Sequence, residues 1–266
     1  MKIGVVGCGG RMGRMIVHAI LHTDGLSLAG GTEQAGHEVI GRDIAELANV
    51  KACGLRVETD AEALFERSDA VIDFTSPTAT ATHAGLAARY ETALIVGTTG
   101  LGPEQHESLA AAAQFVVVVV AANMSVGVNL LLGLTRQVSA ILGDEYDIEV
   151  VEMHHRYKVD APSGTALALG HAAAAGRGTS LDSVSQRVRD GQIGSRRSGT
   201  IGFATLRGGD VVGEHTVIFA GEGERIELTH RATSRAIFAQ GAVRAARWSE
   251  GRSPGLYSMR QVLGLE

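Results

Sequence analysis

Cysteine is almost missing from this chain. There are two, Cys8 and Cys53, and they form neither a disulfide framework nor a CxxC metal or redox motif. Both read as small buried filler, the usual behaviour of free thiols. Aromatic residues make up only 4%, so the core must rest on Val, Leu, Ile and Ala. The longest apolar run read from the sequence is Phe115 to Ala122, well below the ~18 residues of a membrane span. The start, Met-Lys-Ile-Gly-Val-Val, lacks the long apolar region of a signal peptide and reads as a strand. A soluble, cytoplasmic protein with no membrane partner is expected. Basic charge is also in deficit: 24 Lys and Arg against 29 Asp and Glu give a net charge of −5, which argues against a nucleic-acid partner.

The chain does have glycine, 35 residues of it, within a length of 266 that suits one large domain or two modest ones. Apolar strands are expected at Lys2–Val6, Leu26–Thr32, Asp69–Thr75, Ala93–Val96 and Phe115–Val120. Helical segments fall between them: one after the first glycine loop, then Ala79–Arg89 and Pro103–Ala113. Continuous apolar strands alternating with helices imply a parallel sheet buried on both faces. Past residue 125 the texture changes. A long helix at Val126–Leu142, a strand at Asp147–Met153 and a helix at Ala166–Ala174 lead to a polar segment, 177–198, read as an exposed loop. Its Arg187, Arg189, Arg196 and Arg197 are taken as solvated. Strands at Thr200–Leu206, Val211–Ala220 and Arg225–Arg231 follow, and a last helix, Ser234–Trp248, returns to the first domain. The expected fold is α/β: a Rossmann-like, doubly wound parallel sheet (1–125 with 235–266) and an α+β substrate-binding and oligomerisation domain with an open mixed sheet (126–234). No internal repeat is visible.

Gly7-Cys8-Gly9-Gly10-Arg11-Met12-Gly13 follows a strand and opens a helix, the context of a dinucleotide fingerprint, although its last glycine falls one residue late. Glycines there allow a tight turn and close approach to a pyrophosphate, and the helix N-terminus favours phosphate. Glu33, twenty residues past Gly13 at the end of the second strand, stands where an acid binds ribose hydroxyls. Gln34 follows it where an arginine would favour a 2′-phosphate, so both NADH and NADPH are expected to serve, with NADH favoured. Gly97-Thr98-Thr99 and Ala121-Ala122-Asn123-Met124 leave the ends of later strands. There, small side chains would admit a nicotinamide, and Thr or Asn could bind its carboxamide. Phe74-Thr75 is a similar turn.

The run His154-His155-Arg156-Tyr157-Lys158, closed by Val159-Asp160-Ala161-Pro162-Ser163-Gly164-Thr165-Ala166, concentrates imidazoles, cationic groups and a helix start. Such a group suits a site that grips a small dianion and moves a proton. Zinc is the lesser reading and no metal is expected: adjacent strand residues face opposite ways, and neither cysteine joins them in a ligand motif. His215 and His230, in expected strands, are taken as structural.

With these segments the sequence closely resembles the 4-hydroxy-tetrahydrodipicolinate reductase family. The likeness runs through GCGGRMGR (7–14), DFTSP (73–77), VGTTG (96–100), AANMSVGVN (121–129), EMHHRYKVDAPSGTA (152–166), GTIGFATLRGGDVVGEH (199–215) and ERIELTHRATSR (224–235). Met124 and Gln34 depart from it, standing where other members often carry an aromatic residue and an arginine. The resemblance implies NAD(P)H-dependent reduction of a cyclic hydroxylated imine dicarboxylate, with loss of water, in the diaminopimelate route to lysine. It implies His154 as proton donor or acceptor, Lys158 as proton donor and His155 as a substrate contact. Gly164 and Thr165 would hold a substrate carboxylate. It further implies a homotetramer built through the second domain's sheet, and domains that close on ligand.

Two rivals remain at this point. A semialdehyde dehydrogenase would need a catalytic cysteine, and Cys53 has no such context. A dinucleotide sensor with a decayed catalytic domain would not keep His154 and Lys158.

Overall fold

The computed structural model describes residues 1–265, which divide into two compact units: Met1–Val126 with Arg235 onward, and Gly127–Ser234. In chain order the first unit contributes β1 (Lys2–Val6), α1 (Arg11–Leu21), β2 (Ser27–Thr32), α2 (Ile44–Leu47), β3 (Val57–Glu58) and α3 (Ala61–Glu66). It continues with β4 (Ala70–Asp73), α4 (Pro77–Arg89), β5 (Ala93–Val96), α5 (Pro103–Ala112) and β6 (Val117–Val120). The second holds α6 (Val126–Leu142), β7 (Asp147–His154), α7 (Gly164–Gly176), α8 (Leu181–Val184), β8 (Ser185–Gln186), β9 (Ile201–Arg207), β10 (Gly213–Ala220) and β11 (Arg225–Ala232). The chain then returns to the first unit with α9 (Ala236–Ser249), β12 (Gly255–Tyr257) and α10 (Met259–Val262).

The first sheet is parallel throughout, in the order β12-β6-β5-β4-β1-β2-β3. β1 pairs with β2 on one side and β4 on the other, so strand order reverses there, and the crevice at the carboxyl ends of β1 and β4 is where such sheets bind ligands. Its faces bury separate cores: Ile3, Val5, Ile72, Ile95 and Val119 on one side, Val6, Val71, Leu94, Val96 and Val118 on the other. That two-sided burial is why these strands read as unbroken apolar runs. α4 starts at Pro77, two residues earlier than expected, because the Ser76 hydroxyl caps it at Ala79 N and proline is favoured in a first helical turn.

The second sheet is mixed, in the order β11-β10-β7-β9-β8, with β10 antiparallel to both neighbours. Burial alternates along β7, and its inward residues are Ile148, Val150, Glu152 and His154. Opposite them on β10 lie Phe219, Val217 and His215. One end of this face is therefore ordinary core, shared with Leu169, Ala173 and Phe203, while the other end is polar and titratable.

Two expectations need correction. Segment 177–198 is not wholly a solvated loop, since it contains α8 and β8. Arg189 grips Glu149 with two bonds of 2.7 Å, and Arg196 reaches Glu149 at 3.0 Å and Asp147 at 2.6 Å. The outward face of β7 presents those two carboxylates, and this anchors half of the arginines. Cys53, read as buried filler, is exposed. Val126–Glu145 is a 20-residue helical stretch of mean hydropathy 1.3, long and apolar enough to cross a membrane. It buries Val128, Leu131, Thr135 and Ser139, and the Ser139 hydroxyl donates to the Ala173 carbonyl at 2.7 Å.

Candidate active site

In the first unit the glycine loop is tightly folded. Gly7 has φ +68°, and a Cβ on it would come within 2.9 Å of the Thr75 methyl. A Cβ on Gly13 would overlap the Gly7 carbonyl oxygen and lie 2.6 Å from Cys8 Cα, so α1 can start this close to β1 only without a side chain. Several loop N–H groups are already committed. Those of Gly7 and Cys8 donate to the Thr32 carbonyl at 2.8 and 3.1 Å, that of Gly10 to the Gly7 carbonyl at 3.1 Å, and that of Gly9 to Glu33 Oε1 at 3.0 Å. Gly10 caps α1 with no side chain, which leaves the first-turn N–H groups of Arg11, Met12 and Gly13 directed outward for an anion.

Cys8 therefore shapes the loop rather than offering a group to a ligand. Its thiol is fully buried against Gly31, and burial, then the Glu33 charge, push its pKa up to about 12. Arg14 donates from Nε to the Gly9 carbonyl at 2.7 Å and braces the loop from outside.

Two clefts open at the carboxyl ends of the strands. One, of about 410 Å³, is lined by Gly7, Gly10, Thr32, Glu33, Gln34 and His83, among others. The other, of about 350 Å³, is lined by Met12, Gly97, Thr98, Thr99, Ala122, Asn123 and Met124, and by Arg235 and Phe238 from the returning chain. Phe74 and Thr75 line both, so the two clefts adjoin there and together make up a trough along the strand ends. A larger cleft of about 660 Å³, lined by Met1, Asp69 and Phe115, opens at the opposite ends of the strands and has none of these loops.

The later turns line the second cleft with side chains that are partly committed elsewhere. Thr98 is buried, and its hydroxyl is fully engaged. It accepts from Thr75 N at 3.1 Å and from the Thr80 hydroxyl at 2.9 Å, and it donates to Asp73 Oδ1 at 3.3 Å. It braces the cleft wall of which it is part, whereas Thr99 is exposed. Met124 touches the trough but is 1% exposed, and its carbonyl packs against Gly241. Asn123 Oδ1 accepts from Ser125 N at 2.9 Å. Ala121 N donates to the Val96 carbonyl at 3.0 Å, which sets the turn after β6.

Behind the trough sits Asp73, fully buried, which accepts from His83 Nδ1 at 2.8 Å and from the Thr75 hydroxyl at 2.6 Å. Burial alone would raise its pKa, but the bond and charge of His83 and the Thr75 donors hold it below the usual carboxylate range. The sequence singled out DFTSP without this role. A polar residue closing an apolar parallel strand was the available signal.

The second unit gathers the basic run around the polar end of its sheet. His154 is buried at the end of β7, and its Nδ1 lies 2.5 Å from Glu152 Oε2. A carboxylate only accepts, so Nδ1 carries the proton and Nε2 is left as the working nitrogen. Burial lowers the His154 pKa; the Glu152 bond and charge oppose this, and Lys158 and Arg207 reinforce it. The imidazole is therefore mostly neutral at pH 7.

Lys158 Nζ donates to Asp160 Oδ1 at 2.8 Å in the loop that follows. Ser163 caps α7 at Ala166 N, and the first turn begins with Gly164 and Thr165. His155 points away from the buried face, its N–H held by the Val211 carbonyl at 2.7 Å and its ring 6.4 Å from that of Tyr157. His154, Lys158, Gly164 and Thr165 thus belong to one strand end, one loop and one helix start of the same unit.

His215 is not a remote structural residue. It pairs across the sheet with Glu152, its ring centroid lies 5.1 Å from that of His154 in an edge-to-face arrangement, and its Nε2 is hydrogen-bonded to the Ser163 hydroxyl at 3.1 Å. Burial, then the His154 charge, depress its pKa from 6.5 to about 4. Between those values the unfolded chain binds a proton that the fold does not, so stability falls as pH drops through this window. The loss is about 1.4 kcal/mol per pH unit, or ~3 kcal/mol in all. Thermal melts from pH 8 to 4 should show that decline, and His215→Asn should flatten it. A residual slope remains because His154 and His230 are depressed in the same direction. An unchanged slope would mean that His215 is already protonated in the fold.

Two family models match almost the whole length: dihydrodipicolinate reductase, N-terminus, over residues 1–124, and dihydrodipicolinate reductase, C-terminus, over residues 127–263. The chain belongs to this reductase family. Among its relatives, the 4-hydroxy-tetrahydrodipicolinate reductase of Parvibaculum lavamentivorans is 54% identical, covering 100% of this chain and 98% of the relative. That of Dinoroseobacter shibae is 53% identical, covering 99% and 98%. A dipicolinate-bound dihydrodipicolinate reductase from Paenisporosarcina sp. TG-14 shares the fold, with TM-score 0.76 at 24% identity and 97% of each chain covered. GenD2 of gentamicin A biosynthesis, solved in complex with NAD, has TM-score 0.60 at 16% identity, covering 100% of this chain and 90% of that one. The reductase family thus combines a parallel dinucleotide-type unit with a mixed-sheet unit, as this chain does.

Proposed function

We propose that this chain catalyses the reaction its relatives are named for: reduction of 4-hydroxy-tetrahydrodipicolinate to tetrahydrodipicolinate, with loss of water, in lysine biosynthesis through diaminopimelate. The observation that carries this reading is the buried Glu152–His154 pair beside Lys158 and the N-terminus of α7, in a chain whose other unit has a trough fit for a dinucleotide. The fit is physical: Gly7 and Gly13 leave a cradle that a Cβ would fill, α1 has an uncapped N-terminus, and Glu33 borders the trough. Bound NAD(P)H supplies a hydride.

The chain's own residues do the rest. Arg11, Met12 and Gly13 hold the pyrophosphate with backbone N–H groups, and Gly7, Cys8, Gly9 and Gly10 shape the turn that allows it. Glu33 binds the adenosine ribose. Gly97, Thr98, Thr99, Ala121, Ala122, Asn123 and Met124 form the wall against which a nicotinamide lies. Gly164 and Thr165 bind one substrate carboxylate, and His155 contacts the substrate. The Lys158 ammonium donates the proton that neutralises the charge left when the ring double bond is reduced. Neutral His154, with its proton on Nδ1, offers Nε2 as acceptor or relay. Residues 1–125 with 235–266 serve as the dinucleotide-binding domain, and 126–234 as the substrate and assembly domain. The chain assembles as a homotetramer through the outward face of the second sheet.

NADH is the favoured cofactor and NADPH the weaker one. Gln34 follows Glu33 in the cleft lining, which holds no arginine among the described residues; Arg11 and Arg14 lie on the loop and helix outside it, Arg14 with its Nε on the Gly9 carbonyl. A coupled assay, in which an upstream synthase generates the unstable substrate in place, should show rapid oxidation of both cofactors, with kcat/KM higher for NADH. Equal or better use of NADPH refutes the preference. No oxidation by a folded protein that binds NADH refutes the reaction.

A further inference from the structure

Beyond the contact of Glu152 with His154, three parts of the candidate site converge on Glu152 and its partner Arg207. Glu152 is 1% exposed and accepts four hydrogen bonds: from His154 Nδ1 (2.5 Å), Ser163 N (3.0 Å), Arg207 Nη1 (2.8 Å) and Arg207 Nη2 (2.9 Å). Arg207, at the end of β9 beside His154, meets the carboxylate with two parallel bonds and donates again from Nη2 to the Asp160 carbonyl at 2.6 Å. One ion pair therefore ties the imidazole of His154, the loop carrying Lys158 and Asp160, and the first turn of α7 at Ser163.

Chemistry says what such a carboxylate does. Left alone in this position, a buried imidazole could take either tautomer. An acceptor fixed at Nδ1 leaves only Nε2 for the substrate, as the orienting carboxylate of a catalytic triad does. The groups facing His154 are Glu152 on its own strand, Arg207 on β9, His215 on β10 and Lys158 in the loop. Of these only Glu152 is anionic and in contact. Arg207 balances that charge, so that Glu152 orients the ring without holding it protonated. We infer that Glu152 and Arg207 are positioning residues: together they set the tautomer and proton affinity of His154 and hold the Lys158 loop and the α7 carboxylate cradle in register with it.

This inference rests on His154 being the reacting imidazole, so its test has a readout independent of turnover. Nitrogen-15 NMR of labelled full-length enzyme should show His154 as the Nδ1–H tautomer. Glu152→Gln should lose that preference and move the His154 pKa down. Arg207→Gln should leave the tautomer and move the pKa up, because Glu152's charge then falls on the imidazole unshared. These opposite shifts are what a merely structural pair would not produce. In kinetics, kcat should fall on the order of 10²-fold in Glu152→Gln, and the acid limb of the rate profile should follow the two shifts. NADH affinity, measured by fluorescence, should stay within about twofold, since the dinucleotide loop is in the other unit. Should Glu152→Gln not fold, Arg207→Gln alone decides by the direction of its pKa shift. An unchanged tautomer and pKa with reduced kcat overturns the inference alone. Shifted NMR signals with unchanged kcat overturn it as a catalytic device, together with the assignment of His154.

Discussion

Lys158→Ala is expected to reduce kcat/KM on the order of 10³-fold, about 4 kcal/mol of transition-state stabilisation, while NADH affinity changes by less than about twofold. The size follows from two functions lost at once. The ammonium is the proton source in the proposed reaction, and it is a cationic partner for a dianionic substrate near the start of α7. The two can be separated. Lys158→Arg keeps the charge, held by Asp160 as Lys158 is at 2.8 Å, but a guanidinium does not release its proton. It should recover much of KM and little of kcat. A full recovery of kcat by arginine would show that charge is the whole contribution and move the proton donor elsewhere. Removing Lys158 also removes a cation that lowers the His154 pKa, so the acid limb of the residual rate should move to higher pH. Turnover by Lys158→Ala at the unsubstituted rate would end the proposed mechanism.

How far this site could be read in advance depends on the range of the interactions that make it. The parallel sheet announced itself because burial on both faces leaves strands such as Val117–Val120 with no polar residue. The glycine loop and the HHRYK run were legible because each packs its chemistry into a few consecutive residues. Short elements escaped: α2, β3, α3, β12 and α10 are two to six residues long and carry too few positions for a period. β12 is recognisable only through its parallel pairing with β6, over one hundred residues earlier in the chain.

The supporting groups escaped for a related reason. Glu152 sits two residues before His154 on a strand and therefore on the same face, a local signal that was available. Its meaning depends on Arg207, which only the β7–β9 pairing brings alongside. His215 looked structural as one histidine in a strand. Its register opposite Glu152 places it against His154 and Ser163. Thr98 and Met124 line the second cleft, but what else holds them was not legible. Small and polar residues after a parallel strand suit ligand contact, yet Thr98 is committed to Asp73, Thr75 and Thr80, and Met124 to the core.

Gly13→Ala should abolish measurable dinucleotide binding, at least a 100-fold loss, and lower stability by about 1–3 kcal/mol. The added methyl would overlap the Gly7 carbonyl oxygen and approach Cys8 Cα at 2.6 Å and Cys8 C at 2.8 Å. All three are backbone atoms, so no rotamer change relieves the clash. Either α1 moves off β1, which opens the core around Ile16, Val17 and Ile3, or the loop moves and the first-turn N–H groups lose their aim. The first costs mainly stability and the second mainly binding, so comparing the melting temperature with the NADH titration reveals which part yields. Gly25→Ala separates steric exclusion from loss of backbone freedom. Gly25 has φ +80° but nothing within 4 Å of a built Cβ, so alanine there should cost about 1 kcal/mol of strain and leave NADH binding intact. If Gly13→Ala bound NADH as Gly25→Ala does, close approach of α1 to β1 would not be what the cofactor requires, and the fingerprint would be reduced to an ordinary tight turn.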